Sequence, residues 1–287
     1  MLAVVAALWG GAAGLLVPRA AYRLSVEPEE AWRDACPAGH PIGGPVRGWV
    51  GLARCRECAR ATTGPLAPPP GPAVVRSDHP RPAAGHGDPG PVVAQSDPAD
   101  PDAPGPRYRR APVLPLTTAL LCALLALATG PRPEVAVWLL CAPVGVLLAV
   151  VDRAVHRLPD GLTLPLAGGA AALLGLAALL PGAAGSWPGA LLGGLVLGGA
   201  YFVLFLVNPN GMGFGDVKLA LALGVFLGWY GWTVLFAGAF AGFLLGAVYG
   251  LGLMALGRAG RRTAIPFGPF MLAGAYLGLL AGALGAS

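Results

Sequence analysis

Charged residues are scarce in this 287-residue sequence. Only 11% of its residues are Asp, Glu, Lys or Arg, whereas 55% are hydrophobic, and the mean hydropathy is +0.66. Because soluble globular proteins carry a charge on about a quarter of their residues, this composition excludes an ordinary soluble domain. It predicts instead a polytopic membrane protein whose main partner is a lipid bilayer.

The sequence also lacks several common motifs of hydrolytic and nucleotide-binding sites. It contains no GxSxG, no HExxH and no P-loop lysine motif, which leaves little support for the chemistry of those sites. Its five cysteines are an odd number and suggest no disulfide framework. Cys122 and Cys141 lie inside apolar runs, where we expect them to serve as small hydrophobic side chains.

Long apolar segments dominate what is present. Residues 2–17 are apolar without a preceding basic residue, which favours an anchoring helix with an outside N-terminus over a cleaved signal peptide. Later segments approach the roughly 20 residues needed to cross a bilayer. These predicted spans are 112–129, 135–151, 162–180, 188–207, 217–230, 232–256 and 265–285. The predicted fold is therefore an all-α polytopic membrane protein of about eight transmembrane helices, with a cytoplasmic loop lobe after the first.

The spacing of polar segments predicts four regions along the chain. Residues 1–24 form the first transmembrane helix, and residues 25–63 form a cytoplasmic lobe that contains three cysteines. Residues 64–111 are rich in proline, glycine and aspartate, a composition that cannot bury a core and predicts a disordered linker. Residues 112–287 form a seven-helix transmembrane domain.

The basic residues predict the orientation of this fold and account for the net charge of +5. Eight helices with an outside N-terminus place the regions 18–111, 152–161, 208–216 and 257–264 in the cytoplasm. Apart from Arg132, every Lys and Arg lies in these regions or, at Lys218, just beyond one of them. This is the positive-inside pattern, so the charge indicates orientation rather than nucleic-acid binding.

Acidic residues are rarest in the membrane domain, which contains only Glu134, Asp152, Asp160 and Asp216. The predicted topology places Asp152 and Asp216 at the cytoplasmic boundary and Glu134 on the opposite side. The two aspartates are interpreted either as separate helix-end residues, solvated or paired with nearby basic side chains, or as a functional pair. Two carboxylates held close together share one proton, which is the machinery of an aspartic protease.

Neighbouring residues offer further alternatives around this pair. Asp160 competes with Asp152 as the partner of the second aspartate, but a helix N-cap is its simpler role. Gly213 and Gly215 leave the backbone bare, so an extended peptide could lie against it. Lys218 either extends its amine to the membrane interface or orients the substrate or the nearby aspartate.

Three segments resemble the type IV prepilin peptidases. Asp152 with LPDGLTLPL at 158–166 is similar to the family's first aspartate segment, and GFGDVKL at 213–219 is similar to its GxGD motif. IPFGPF at 265–270 is similar to the stretch that opens its last helix. The resemblance covers residues 112–285.

The resemblance implies a membrane aspartic endopeptidase in which Asp152 and Asp216 are catalytic. Its substrates would be type IV prepilins or pseudopilins, whose short basic leader is cleaved after a glycine at the cytoplasmic face of the inner membrane. It would need no cofactor for peptidase activity. Asp160, Gly213, Gly215 and Lys218 are then expected to bind substrate or support the motif.

The predicted lobe departs from the family pattern of two CxxC pairs. The family's CPxCGHPI appears here as CPAGHPI at 36–42, as if its second cysteine were missing. Cys36, His40, Cys55 and Cys58 remain as a candidate Cys₃His zinc site, and the alternative is a decayed lobe with free thiols. A segment that accompanies N-methylation in the family is not found, so we expect peptidase activity without S-adenosylmethionine.

A rival interpretation from another class is a polytopic transporter or scaffold whose acids bind a cation or proton. Transporters usually carry internal repeats or broken helices near the bilayer midplane. The sequence shows neither, and its acids lie at the predicted membrane edge.

Overall fold

The computed structural model describes residues 1–27, 30–61, 112–209, 212–258 and 265–286. The chain divides into two compact units, one of Met1–Arg54 with Pro106–Ser287 and the other of Cys55–Gly105. The linker predicted at 64–111 lies outside the described residues, so its predicted disorder stays a prediction.

Within those ranges every regular element is an α-helix, which confirms the predicted all-α class. The helices are α1 Leu2–Gly14, α2 Val17–Leu24, α3 Pro45–Gly48, α4 Arg56–Ala61, α5 Val113–Thr129, α6 Glu134–Val155, α7 Asp160–Ala178, α8 Trp187–Val207, α9 Phe214–Gly228, α10 Trp232–Ala255 and α11 Gly268–Gly285.

Six stretches of the described chain are long and apolar enough to cross a membrane, and they indicate a multi-pass membrane protein. They are Leu2–Leu24, which joins α1 and α2, and the helices α6, α7, α8, α10 and α11. The remaining two predicted spans correspond to α5 and α9, which have only 17 and 15 residues. The count of eight spans therefore stays a prediction.

The first helix extends further than the apolar pattern predicts. The predicted first span covers residues 1–24, whereas the apolar run stops at residue 17; α2 continues from there to Leu24 and buries Arg19 and Arg23. The Arg19 Nε–H donates to the Gly48 carbonyl at 2.8 Å. An arginine can be buried here because backbone carbonyls of the following segment accept its N–H groups.

Helix α9 is buried along most of its length and packs closely against α8. A Cβ atom built on Gly193 would lie 2.5 Å from the Gly224 carbonyl oxygen, and one on Gly228 would lie 2.5 Å from the Gly189 carbonyl oxygen. Only glycine allows the two backbones to approach this closely. This packing fixes the position of α9, whose first turn carries Asp216.

Candidate active site

Asp152 lies in the last turn of α6 and is 4% exposed. Its Oδ2 atom accepts a hydrogen bond from the backbone N–H of Gly268, the first residue of α11, at 3.0 Å. The first N–H groups of a helix have no partner inside the helix and favour a negative charge. The start of α11 therefore fixes one oxygen of this carboxylate.

Gly268 was missed as a site residue by the sequence reasoning, although the segment IPFGPF was singled out. A Cβ atom built on Gly268 would lie 2.7 Å from Asp152 Oδ2 and 3.1 Å from its Cγ. Because the Asp152 carboxylate lies this close, only glycine fits at position 268 without displacing it. The only sequence signal was a glycine between two prolines at a helix start.

Asp216 lies in the first turn of α9 and is 8% exposed. Its Oδ2 atom accepts the backbone N–H of Gly213 at 3.2 Å, and its own N–H donates to the Gly213 carbonyl at 3.0 Å. This reciprocal pairing resembles a capping box and holds the carboxylate at the N-terminus of the helix.

Asp152 ends α6 and Asp216 begins α9, and these two helix ends approach each other where Leu158 lies against Gly215. They are the two buried aspartates among the described residues. Each accepts a backbone N–H at a helix start, Asp152 from α11 and Asp216 at its own helix, α9. Two buried carboxylates 64 positions apart in the sequence are thus candidates for one acidic site.

Gly215 helps to bring these two helix ends together. A Cβ atom built on Gly215 would lie 3.0 Å from Leu158 Cβ, so the turn after α6 packs directly on the start of α9. That turn begins at His156, whose left-handed backbone (φ +51°) ends α6 and whose N–H donates to the Asp152 carbonyl at 2.8 Å. Leu158 therefore lies against one side of the half-buried Gly215, and the expectation that a peptide approaches this backbone stays a prediction.

Asp160 and Lys218 pair with one another. Lys218 Nζ lies 2.6 Å from Asp160 Oδ2, and it also lies 4.8 Å from the ring centroid of Phe214. The N-cap role predicted for Asp160 is wrong, because Pro159 is the N-cap of α7 and no side chain caps that helix. The pair ties the first turn of α7 to the first turn of α9.

The candidate metal ligands occur as two pairs. Within the first unit, Cys36 Sγ lies 3.6 Å from His40 Nδ1, because the chain turns back through Gly39 (φ +79°) and the Cys36 N–H donates to the His40 carbonyl at 2.8 Å. In the second unit, Cys55 and Cys58 lie at the beginning of α4. Three thiols and an imidazole are a donor set that suits zinc.

Residues 136–251 match the type IV leader peptidase family, a range that contains both aspartates, Asp160 and Lys218. Among curated proteins, the chain is 36% identical over 174 residues to a prepilin leader peptidase/N-methyltransferase of Aeromonas salmonicida (strain A449), which covers 60% of this chain and 58% of that protein.

Two further relatives carry the same description. The chain is 35% identical over 178 residues to that of Aeromonas hydrophila (62% of this chain, 60% of the relative) and 34% identical over 177 residues to that of Pseudomonas aeruginosa (61% and 59%). The matches thus span about three fifths of the length of these relatives. No solved structure matches. The predicted resemblance is confirmed: the segment that holds the two aspartates is similar to the type IV leader peptidases.

Proposed function

We propose that the chain is a membrane-embedded aspartic endopeptidase of the inner membrane. It cleaves the short basic leader from type IV prepilins or pseudopilins at the cytoplasmic face, and Asp152 and Asp216 are its catalytic residues. The observation that carries the proposal is that two buried carboxylates, at helix ends that approach each other, lie inside the segment that matches a leader peptidase family. The transporter or scaffold alternative is not favoured, because the same segment matches a peptidase family.

In the proposed mechanism the two carboxylates hold one proton between them. The ionised carboxylate takes a proton from a water molecule, whose oxygen adds to the scissile carbonyl carbon. The protonated carboxyl group donates its proton to the carbonyl oxygen. As the resulting diol collapses, one carboxyl group protonates the leaving amine nitrogen, the C–N bond breaks, and the other carboxylate takes the diol proton. The pair again holds one proton.

The backbone contacts support different roles for the two oxygen atoms of each carboxylate. The Oδ2 atoms accept the N–H groups of Gly268 and Gly213. The Oδ1 atoms then face the water and the scissile carbonyl. Such preorganisation limits the rearrangement needed during the reaction.

Gly215, Asp160 and Lys218 are proposed to position the pair. Gly215 admits Leu158 at the start of α9, and the Asp160–Lys218 contact joins the same helix to α7. Asp160 is 61% exposed, whereas both proposed catalytic aspartates are buried. Its partner and its exposure support a positioning role rather than a place in the proton-sharing pair.

We propose that Cys36, His40, Cys55 and Cys58 hold one structural zinc ion. The closeness of Cys36 and His40 supports a shared metal for that pair, and zinc accepts three thiolates and an imidazole in tetrahedral sites. The metal is proposed to stabilise the fold around these residues, and peptidase activity requires no cofactor. N-methylation with S-adenosylmethionine is not part of the proposal.

The test is co-expression with a prepilin, followed by gel analysis of the leader. Asp152→Asn and Asp216→Asn are expected to leave the prepilin uncleaved while inserting at normal levels. Asp34→Asn is the matched control, because Asp34 is exposed in the segment after α2, and it should cleave normally. Full cleavage by either of the first two variants would remove that residue from the mechanism.

A further inference from the structure

An apolar groove lies between α5, α6 and α11 in the membrane domain. Its volume is about 380 Å³, and Leu223 and Phe226 of α9 form its floor. Ala273 and Leu277 of α11 are exposed at its edge, so the groove opens toward the surroundings of the bundle. No Asp, Glu, Lys or Arg side chain lines it.

One end of the groove lies about one helical turn from Asp152. On α6 it is lined by Gly145 and Ala149, and Asp152 follows Ala149 by three residues, which is about one helical turn. On α11 it is lined by Pro269, which directly follows the Gly268 that donates its N–H to Asp152. The two helices that hold this carboxylate therefore also form the walls of the groove.

The other end of the groove lies near Trp138, which also lines it. Trp138 precedes Asp152 by 14 residues on one helix, a distance of about 21 Å along the axis. The groove is open at Ala273 and Leu277, so it suits side chains from one face of a segment that lies along it.

No acidic side chain lines the groove to pair with the basic leader, so we propose that it receives apolar side chains of the substrate segment that follows the scissile bond. The inference rests on the proposed function, because it assigns a binding place to the part of the substrate that follows the cleaved peptide bond. Lipid tails are as apolar as these side chains, so transfer from lipid gives no hydrophobic driving force. Recognition then depends on shape, with large substrate side chains against the small residues Ala142, Gly145 and Ala149.

Ala149→Leu tests the inference because it fills the groove one turn from Asp152. We expect cleavage of a prepilin with large apolar residues after the scissile bond to fall at least tenfold. A prepilin with alanines at those positions should lose much less. Ala200→Leu is the matched control, because Ala200 is exposed on α8 outside the groove, and its cleavage rate should stay within twofold of the unmodified chain.

Cys141 gives a second readout that does not depend on cleavage, because its side chain lines the groove. In the Asp216→Asn chain, a single cysteine placed about eleven residues after the scissile bond of a helical substrate should cross-link to Cys141. A cysteine two residues away, on another face of the substrate helix, should cross-link less. Equal cross-linking at both positions, or none at either, would overturn the inference.

The outcomes separate this inference from the proposed function. If the unmodified chain cleaves no prepilin, the proposed function fails. If cleavage depends on both aspartates but Ala149→Leu behaves like Ala200→Leu, only the groove assignment fails. Loss of a co-purified lipid in Ala149→Leu with unchanged cleavage would assign the groove to an acyl chain and overturn the inference.

Discussion

The contact between Gly268 and Asp152 yields the most specific prediction. In Gly268→Ala the new methyl group would lie 2.7 Å from Asp152 Oδ2, so the carboxylate must move away from the start of α11. That movement breaks the 3.0 Å hydrogen bond from the Gly268 N–H. A hydrogen bond to a charged group contributes about 1.5–3 kcal/mol, so cleavage should slow about 10- to 150-fold.

The assay is the rate of leader removal from a prepilin by purified protein, compared with the thermal unfolding temperature of the same preparation. Gly161→Ala is the matched control, because Gly161 also lies in the first turn of a helix but has no atom within 4 Å of an added Cβ. It should keep full activity. Unchanged cleavage by Gly268→Ala in a folded protein would refute the reasoning that this N–H positions the carboxylate.

Three further predictions follow from the other contacts. Gly215→Val should reduce cleavage at least tenfold, because its side chain would meet Leu158 and separate α9 from the turn after α6; normal cleavage would contradict this packing role. Lys218→Met should change the free energy of unfolding by less than about 1 kcal/mol, because Asp160 is largely exposed to solvent, and a larger loss in a denaturation curve would count against that reasoning. Purified protein should contain about one zinc ion per chain by mass spectrometry, and Cys55→Ser should release it while cleavage continues. If the purified protein is metal-free and fully active, the zinc proposal fails and the peptidase proposal stands.

The order of the helices could be predicted from the sequence because apolar segments of spanning length give a strong signal. The pattern also placed Asp152 near the end of one helix and Asp216 at the start of another. Local signals cannot show where the start of a distant helix lies in space. The hydrogen bond from Gly268, 116 positions from Asp152, was therefore not predictable.

Two other differences have similar physical causes. The charge pattern counts Arg19 with the cytoplasmic region 18–111, but Arg19 is buried in a helix because distant carbonyls accept its N–H groups. Asp160 was expected to cap α7, but the ion pair with Lys218 engages its carboxylate instead. In both cases a tertiary contact decides between roles that the local sequence allows.

The pair itself is tested most directly by the rates of leader removal for Asp152→Asn, Asp216→Asn and the double variant. If the two carboxylates act as one unit, each single substitution should remove as much activity as both together, with residual rates within about threefold of each other. A single variant that keeps more than about a tenth of the original rate, with a further large loss in the double variant, would contradict the account.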